Sequence, residues 1–223
     1  MRVREVVREA IAQRGQAHVA LSGGSTPRAM HARLARLEGI EWPRVHVWWG
    51  DERFVPPEHS DSNQRMARET LLSLVAIPES NIHPVESTPD AATAARSYEA
   101  ALRRMVTAVD AEGTPRLDLV LLGIGSDGHT LSLFPGAAEP DPKLLVISAV
   151  APPTSPVKDR VTLTKRTARA ARTRVFLAVG ADKRALIDSC VHRGGINGGA
   201  VHPAATVGDA EWYVDPAAGP AGR

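Results

Sequence analysis

His129 follows Asp127 and Gly128 at the end of an unbroken apolar run, in the segment DLVLLGIGSDGHTLSLFPG (118–136). A strand that runs into a glycine-rich bend delivers side chains to the mouth of a cleft. A neutral imidazole placed there can take a proton from water near pH 7, with Asp127 or a backbone carbonyl to fix its tautomer. Ser126 is a weaker candidate as a covalent nucleophile, because the G-x-S-x-G elbow requires glycine where Ile124 stands. The other seven histidines, His18, His31, His46, His59, His83, His192 and His202, lack this placement and read as structural. Gly123, Gly125 and Gly128 also match the dinucleotide fingerprint G-x-G-x-x-G. The context rejects that match: Pro135 and Gly136 leave no room for the long helix it needs. In addition, LLVISAV (144–150) is followed by Ala151, Pro152 and Pro153 where an acidic residue should stand.

Ligands of an open parallel sheet bind outside the carboxyl ends of its strands, which gives weight to three further strand exits. In LSGGSTPRAM, Gly23 and Gly24 turn the chain and Thr26-Pro27 opens a helix, so free backbone N–H groups and a helix dipole aim at one point beside Ser22, Ser25 and Thr26. This is the chemistry of a phosphate seat. VHVWWGDERFVPP releases Asp51, Glu52 and Arg53 in succession; they form either a surface ion-pair cluster or a site whose Arg53 grips a planar anion. VFLAVGADKRALI places Lys183 in the first turn of a helix, a position a cation occupies at a cost unless an anion lies nearby. Lysine is scarce, with only Lys143, Lys158, Lys165 and Lys183, so Lys183 is not the habitual surface cation of the chain. Arg160, which opens RVTLT, can reach the same cleft, whereas KRTARAARTR (165–174) reads as one solvated helix face.

Short apolar runs alternate with helical segments, which predicts a mostly parallel α/β sheet covered on both faces. The expected strands are 17–21, 45–49, 117–122, 144–149, 160–163, 174–179 and 211–214. The expected helices are 3–14, 27–38, 62–75, 89–109, 165–171 and 182–192, two of them capped by Thr26-Pro27 and Thr88-Pro89. No linker divides the 223 residues, so one domain over 1–223 is expected. Residues 193–203 read as a mobile glycine-rich loop and PAAGPAGR as a fraying tail.

Net charge is +2, from 27 basic and 25 acidic residues, and no lysine-rich tail or interleaved aromatic series suggests nucleic acid. A small anionic substrate suits this balance better, despite a sequence pI near 9.0. The lone Cys190 excludes an internal disulfide and a cysteine zinc site, and so favours a reducing compartment. The first residues form an amphipathic helix rather than a signal peptide, and no apolar run approaches spanning length, so the chain is expected to be cytoplasmic and away from membranes. Monomer and dimer fit equally.

Taken in order, LSGGSTP, VHVWWGDERFVPPEHSDSNQRMARETLL, LDLVLLGIGSDGHTLSLFPG, DRVTLT and GADK resemble the 6-phosphogluconolactonases, lactone hydrolases of the pentose phosphate pathway. The resemblance runs from about Ala17 to Asp215. It implies a three-layer α/β/α, Rossmann-like fold, hydrolysis of 6-phospho-D-glucono-1,5-lactone, and no metal or redox cofactor. It also implies His129 as general base, Arg53 on the anionic substrate, Ser22–Thr26 with Lys183 as the sugar-phosphate pocket, and a role for Arg160. The related glucosamine-6-phosphate deaminases share SGGST, DGH and GxxK, but typically carry tyrosine after the Asp-Glu pair. Arg53 and TLSLFPG favour the lactonase. A sugar-phosphate sensor is a third reading, with no room before residue 17 for a helix-turn-helix module. The family pattern also includes a strand before the first helix for which this chain lacks residues, and KRTARAAR replaces a more apolar segment.

Overall fold

The structure, a computed structural model, describes residues 2–192, 196–197 and 200–219. In chain order the elements are α1 (Arg2–Arg14), β1 (Ala17–Leu21), α2 (Ser25–Leu34), β2 (Val45–Trp49), β3 (Asp51–Arg53), α3 (Asn63–Thr70), α4 (Ala91–Met105), β4 (Leu119–Leu122), β5 (Val146–Val150), β6 (Asp159–Leu163), α5 (Lys165–Ala170), β7 (Thr173–Ala178), α6 (Arg184–His192), β8 (Ile196–Asn197), β9 (Ala200–Val201) and β10 (Glu211–Val214). Short 3-10 turns link several of them.

Five strands form a parallel sheet in the order β10-β7-β4-β1-β2. Side chains of consecutive strand residues point to opposite faces, and both faces here are apolar. Trp48, Val120 and Leu122 join Tyr98, Leu102 and Phe176 on one face, while Trp49, Leu119 and Leu121 join Val7, Met30 and Leu34 on the other. Such two-sided burial requires layers above and below. α1, α2 and α3 cover one side; α4, α5 and α6 contribute to the other.

That second side differs from the expectation. The runs at 144–149 and 160–163 do not enter the parallel sheet: β5 and β6 pair antiparallel with each other, and β6 pairs antiparallel with β3. The resulting three-stranded sheet packs under α4 through Val146, Val161 and Leu163. Gly50 is the pivot between the sheets. Its N–H donates to Leu21 O in the parallel sheet, and its carbonyl accepts from Leu163 N in the antiparallel one, both at 2.8 Å. A Cβ at residue 50 would sit 2.7 Å from Leu131 Cδ2, so a larger residue at the crossing would make the Leu131 side chain shift.

Two expected caps also move. α2 begins at Ser25 with Gly24 at φ 105 as its cap, so Thr26 lies inside the first turn and makes no cap bond. In α4 the cap is Asp90, whose carboxylate accepts from Thr93 N at 2.7 Å, two residues past Thr88. Within the expected loop 193–203, β8 and β9 form a two-stranded antiparallel ladder, while 193–195 and 198–199 lie outside the described residues. The tail is held rather than frayed as far as it is described: Arg184 donates to Pro216 O and Ala217 O, and Ala218 is fully buried. Residues 220–223 lie outside the described residues. Among the described residues, no helix is long and apolar enough to cross a membrane.

Candidate active site

Because β1, β2 and β4 are parallel neighbours, their exits meet on one edge. The chain after β1, the chain after β2 and the bend after β4 line a cleft of about 220 Å³ formed by Ser22, Gly23, Gly24, Asp51, Arg53, Asn63, Gly123, Ile124, Gly125, His129 and Leu131. The expected imidazole and the expected anion seat thus share one cavity, although over a hundred residues separate them in the chain.

His129 is built by its own loop. No helix follows Gly128; instead Gly125 N donates to His129 O at 2.9 Å and Gly128 N to Gly125 O at 3.1 Å, closing a tight turn with Gly128 at φ 86. A Cβ on Gly125 would collide with the imidazole, so the glycine makes room for the ring. Asp127 Oδ1 lies 2.6 Å from His129 Nδ1 and accepts the His129 backbone N–H at 3.1 Å. Partial burial pushes the Asp127 carboxyl up, but the bonds and charge of His129 outweigh it and hold the group below its ordinary value. An ionised Asp127 accepts the Nδ1 proton, which assigns the lone pair of neutral His129 to Nε2. Asp127 does not line the cleft; it sits behind the ring, on the Nδ1 side.

The expected anion seat combines three features. The first turn of α2 has no side-chain cap, so its leading N–H groups stay available. Ser22 is buried, with a hydroxyl that has no hydrogen-bond partner. Arg53 is half-buried, and its Nη1 donates to Asp61 O at 2.8 Å, which fixes the guanidinium at the cleft wall. Asp51 is tied by Ser132 Oγ, which donates to its Oδ2 at 2.6 Å. Glu52, by contrast, turns away into the protein: its oxygens accept from the backbone N–H groups of Arg53, Asn63 and Gln64, each at 2.7 Å, and from Ser62 Oγ at 3.3 Å. Burial pushes its carboxyl up to about 7, against the pull of those donors. The Asp-Glu-Arg run is therefore one structural carboxylate flanked by two cleft residues.

Several expected site residues do not line the cleft. Ser25 and Thr26 sit in the first turn of α2 beside it. Lys183 occupies a 3-10 turn beyond β7, with Nζ 3.3 Å from Asp182 Oδ2. Arg160 lies opposite Arg53 in the β3–β6 register, 7% exposed, with Nη2 donating to Ser155 Oγ at 2.8 Å and Nη1 buried without a partner. Asn63 was not singled out from the sequence. Its Nδ2 donates to Asp51 O at 2.9 Å, and its amide fills the space where a Cβ on Gly23 would stand. The available signal was its place directly after Ser62, whose hydroxyl caps α3 by accepting from Arg65 N. Leu131 adopts φ 55, the sole positive φ outside glycine among the described residues, and borders the same cleft.

Residues 1–214 match the family model of glucosamine-6-phosphate isomerases/6-phosphogluconolactonase. The chain is 43% identical over 181 residues to a 6-phosphogluconolactonase of Synechocystis sp., covering 80% of this chain and 72% of that one. It is 42% identical over 163 residues to a probable chloroplastic 6-phosphogluconolactonase 3 of Oryza sativa subsp. indica, a match covering 70% of this chain and only 50% of the rice protein. Among solved structures, the 6-phosphogluconolactonase from Trypanosoma cruzi superposes with a TM-score of 0.85 at 31% identity, over 97% of this chain and 88% of that one. By fold, by the cleft at the sheet edge and by sequence, the chain belongs to the glucosamine-6-phosphate isomerase/6-phosphogluconolactonase family.

Proposed function

We propose that the chain hydrolyses 6-phospho-D-glucono-1,5-lactone to 6-phospho-D-gluconate, using water activated by His129. The observation that carries this reading is the Asp127–His129 pair facing Ser22–Gly24 and Arg53 across one cleft. Nε2 of His129 takes a proton from water as the oxygen adds to the lactone carbonyl. Arg53 and neighbouring N–H groups stabilise the oxyanion, and the imidazolium returns its proton to the departing ring oxygen. The new carboxylic acid ionises near pH 7, so each turnover releases one proton to solvent. As written, the reaction uses no metal or redox cofactor.

The substrate phosphate is assigned to the Ser22–Thr26 turn, with Arg160 and Lys183 adding positive charge at its rim. The unpartnered Nη1 of Arg160 and the unpartnered Ser22 hydroxyl support that placement, since buried polar groups without partners cost stability unless a ligand completes them. Strands from both ends of the chain enter one sheet, which supports reading 1–223 as one domain. A cytoplasmic location rests on the single cysteine. The test is proton release on adding the protein to freshly made 6-phosphogluconolactone, corrected for spontaneous opening. Ammonia release from glucosamine 6-phosphate, or binding of 6-phosphogluconate without lactone turnover, would replace this reading with a deaminase or a sensor.

A further inference from the structure

The amino ends of the parallel strands form a second polar cavity, which the proposed reaction does not use. It holds about 280 Å³ and is lined by Arg14, Gln16, His18, Thr107, Arg116 and Asp118, with Ala108. These residues precede or open β1 and β4, whereas the His129 cleft lies beyond the carboxyl ends of the same strands. The length of β1, about 16 Å at the usual strand rise, separates the two.

Charge in this cavity is unbalanced. Asp118 is nearly buried and its oxygens are taken: Oδ1 accepts from Arg14 Nε at 2.9 Å and lies 3.5 Å from Arg172 Nε, and Oδ2 accepts the His18 N–H at 2.8 Å. Arg14 Nη2 also reaches Asp118 Oδ1, at 2.9 Å. Arg14 and Arg172 thus share one carboxylate and Arg116 lines the same cavity, which leaves a surplus of positive charge. Burial, then the charges of Arg14 and Arg116, hold the Arg172 guanidinium below its ordinary value despite Asp118.

Arg116 is poised rather than consumed. Its Nε is anchored on Ala170 O at 3.0 Å, and its two terminal amino groups have no hydrogen-bond partner among the described residues. The opposite wall is fixed by Trp48, whose indole N–H, a donor only, points at His18 Nδ1 at 3.1 Å. The proton of neutral His18 therefore sits on Nε2 and is donated to the Gln16 side-chain amide 3.0 Å away, whose oxygen must face the ring because the amide nitrogen only donates. The Arg116 guanidinium, the Gln16 amide N–H groups and the Thr107 hydroxyl together make a donor-rich recess, with His18 as its wall.

We propose that this recess binds a phosphate dianion, free or carried on a small metabolite, with Arg116 as its principal ligand. The site is independent of the lactonase reading. The test is a titration of the Arg53→Ala protein, whose catalytic cleft is weakened for anions, with inorganic phosphate and separately with glycerol 3-phosphate, following the His18 imidazole in long-range ¹H–¹⁵N spectra. The proposal predicts a saturable shift of the His18 ring signals. It further predicts that adding Arg116→Ala or Arg116→Gln weakens this binding at least about tenfold, and that either Arg116 change alone leaves lactone turnover unchanged. Tighter binding of the ester marks a metabolite as the ligand, and equal or weaker binding marks the free ion. His18 signals that stay still to tens of millimolar of both probes, or unaltered affinity in both Arg116 variants, would overturn it.

Discussion

One carboxylate oxygen, Asp127 Oδ1, bonds both the backbone N–H and the ring Nδ1 of His129, at 3.1 and 2.6 Å, so a single acidic side chain sets where the histidine begins and which way its imidazole faces. Asp127→Asn removes the charge but keeps the shape. The expected result is a fall in kcat smaller than that of a His129 variant, with KM nearly unchanged, because phosphate and sugar contacts stay in place. Steady-state kinetics on fresh lactone check it.

Gly125 gives a second test of the same geometry. A Cβ at that position would meet the His129 ring, so Gly125→Ala should displace the imidazole while the loop bonds around it persist. We expect kcat to drop by about 10²-fold, within the usual worth of general-base assistance, with the melting temperature little altered. Kinetics and thermal melting on one preparation separate the two effects.

Glu52 makes a prediction about pH. Burial raises its carboxyl from 4.5 to about 7, so its contribution to stability is fully present below about pH 4.5 and is lost as pH rises through 7. The difference in unfolding free energy between wild type and Glu52→Gln should therefore shift against the wild type between pH 4.5 and 8, by on the order of 3 kcal/mol. Urea unfolding at a series of pH values measures it.

His18 acts in the opposite direction. Burial, then the neighbouring His46 and His83, hold its imidazole down at about 3, while Trp48 donates to its Nδ1. A depressed histidine contributes stability above 6.5 that is lost as pH falls toward the folded value. Below 6.5 the wild type should lose about 1.4 kcal/mol per pH unit relative to His18→Gln. Equal acid sensitivity of the two proteins would contradict the assignment.

The His129 loop was legible in the sequence because two local signals coincide there, a continuous apolar strand and glycines that permit a tight return. The parallel sheet was legible for a similar reason, since Trp48 and Trp49 or Leu121 and Leu122 side by side imply burial on both faces. The antiparallel layer was not, because periodicity cannot tell a buried antiparallel strand from a parallel one. Linker length would have done so: only residues 151–158, including Pro152, Pro153 and Pro156, join β5 to β6, too few for a parallel crossover. Asn63 was hidden because its place against Gly23 depends on how α3 meets the β1 exit, a tertiary fact without a local signature. The α2 cap was misplaced by two residues because Gly24, at positive φ, turns the chain before Thr26 can act.

The proposed reaction depends on His129 Nε2 taking the proton of the attacking water. The most direct measurement is stopped-flow proton release from 6-phosphogluconolactone by wild type and His129→Gln, each corrected for spontaneous opening. If His129 is the base, kcat falls by a factor of about 10² to 10⁴ in the variant with KM little changed. Wild-type turnover in a folded His129→Gln protein would contradict it.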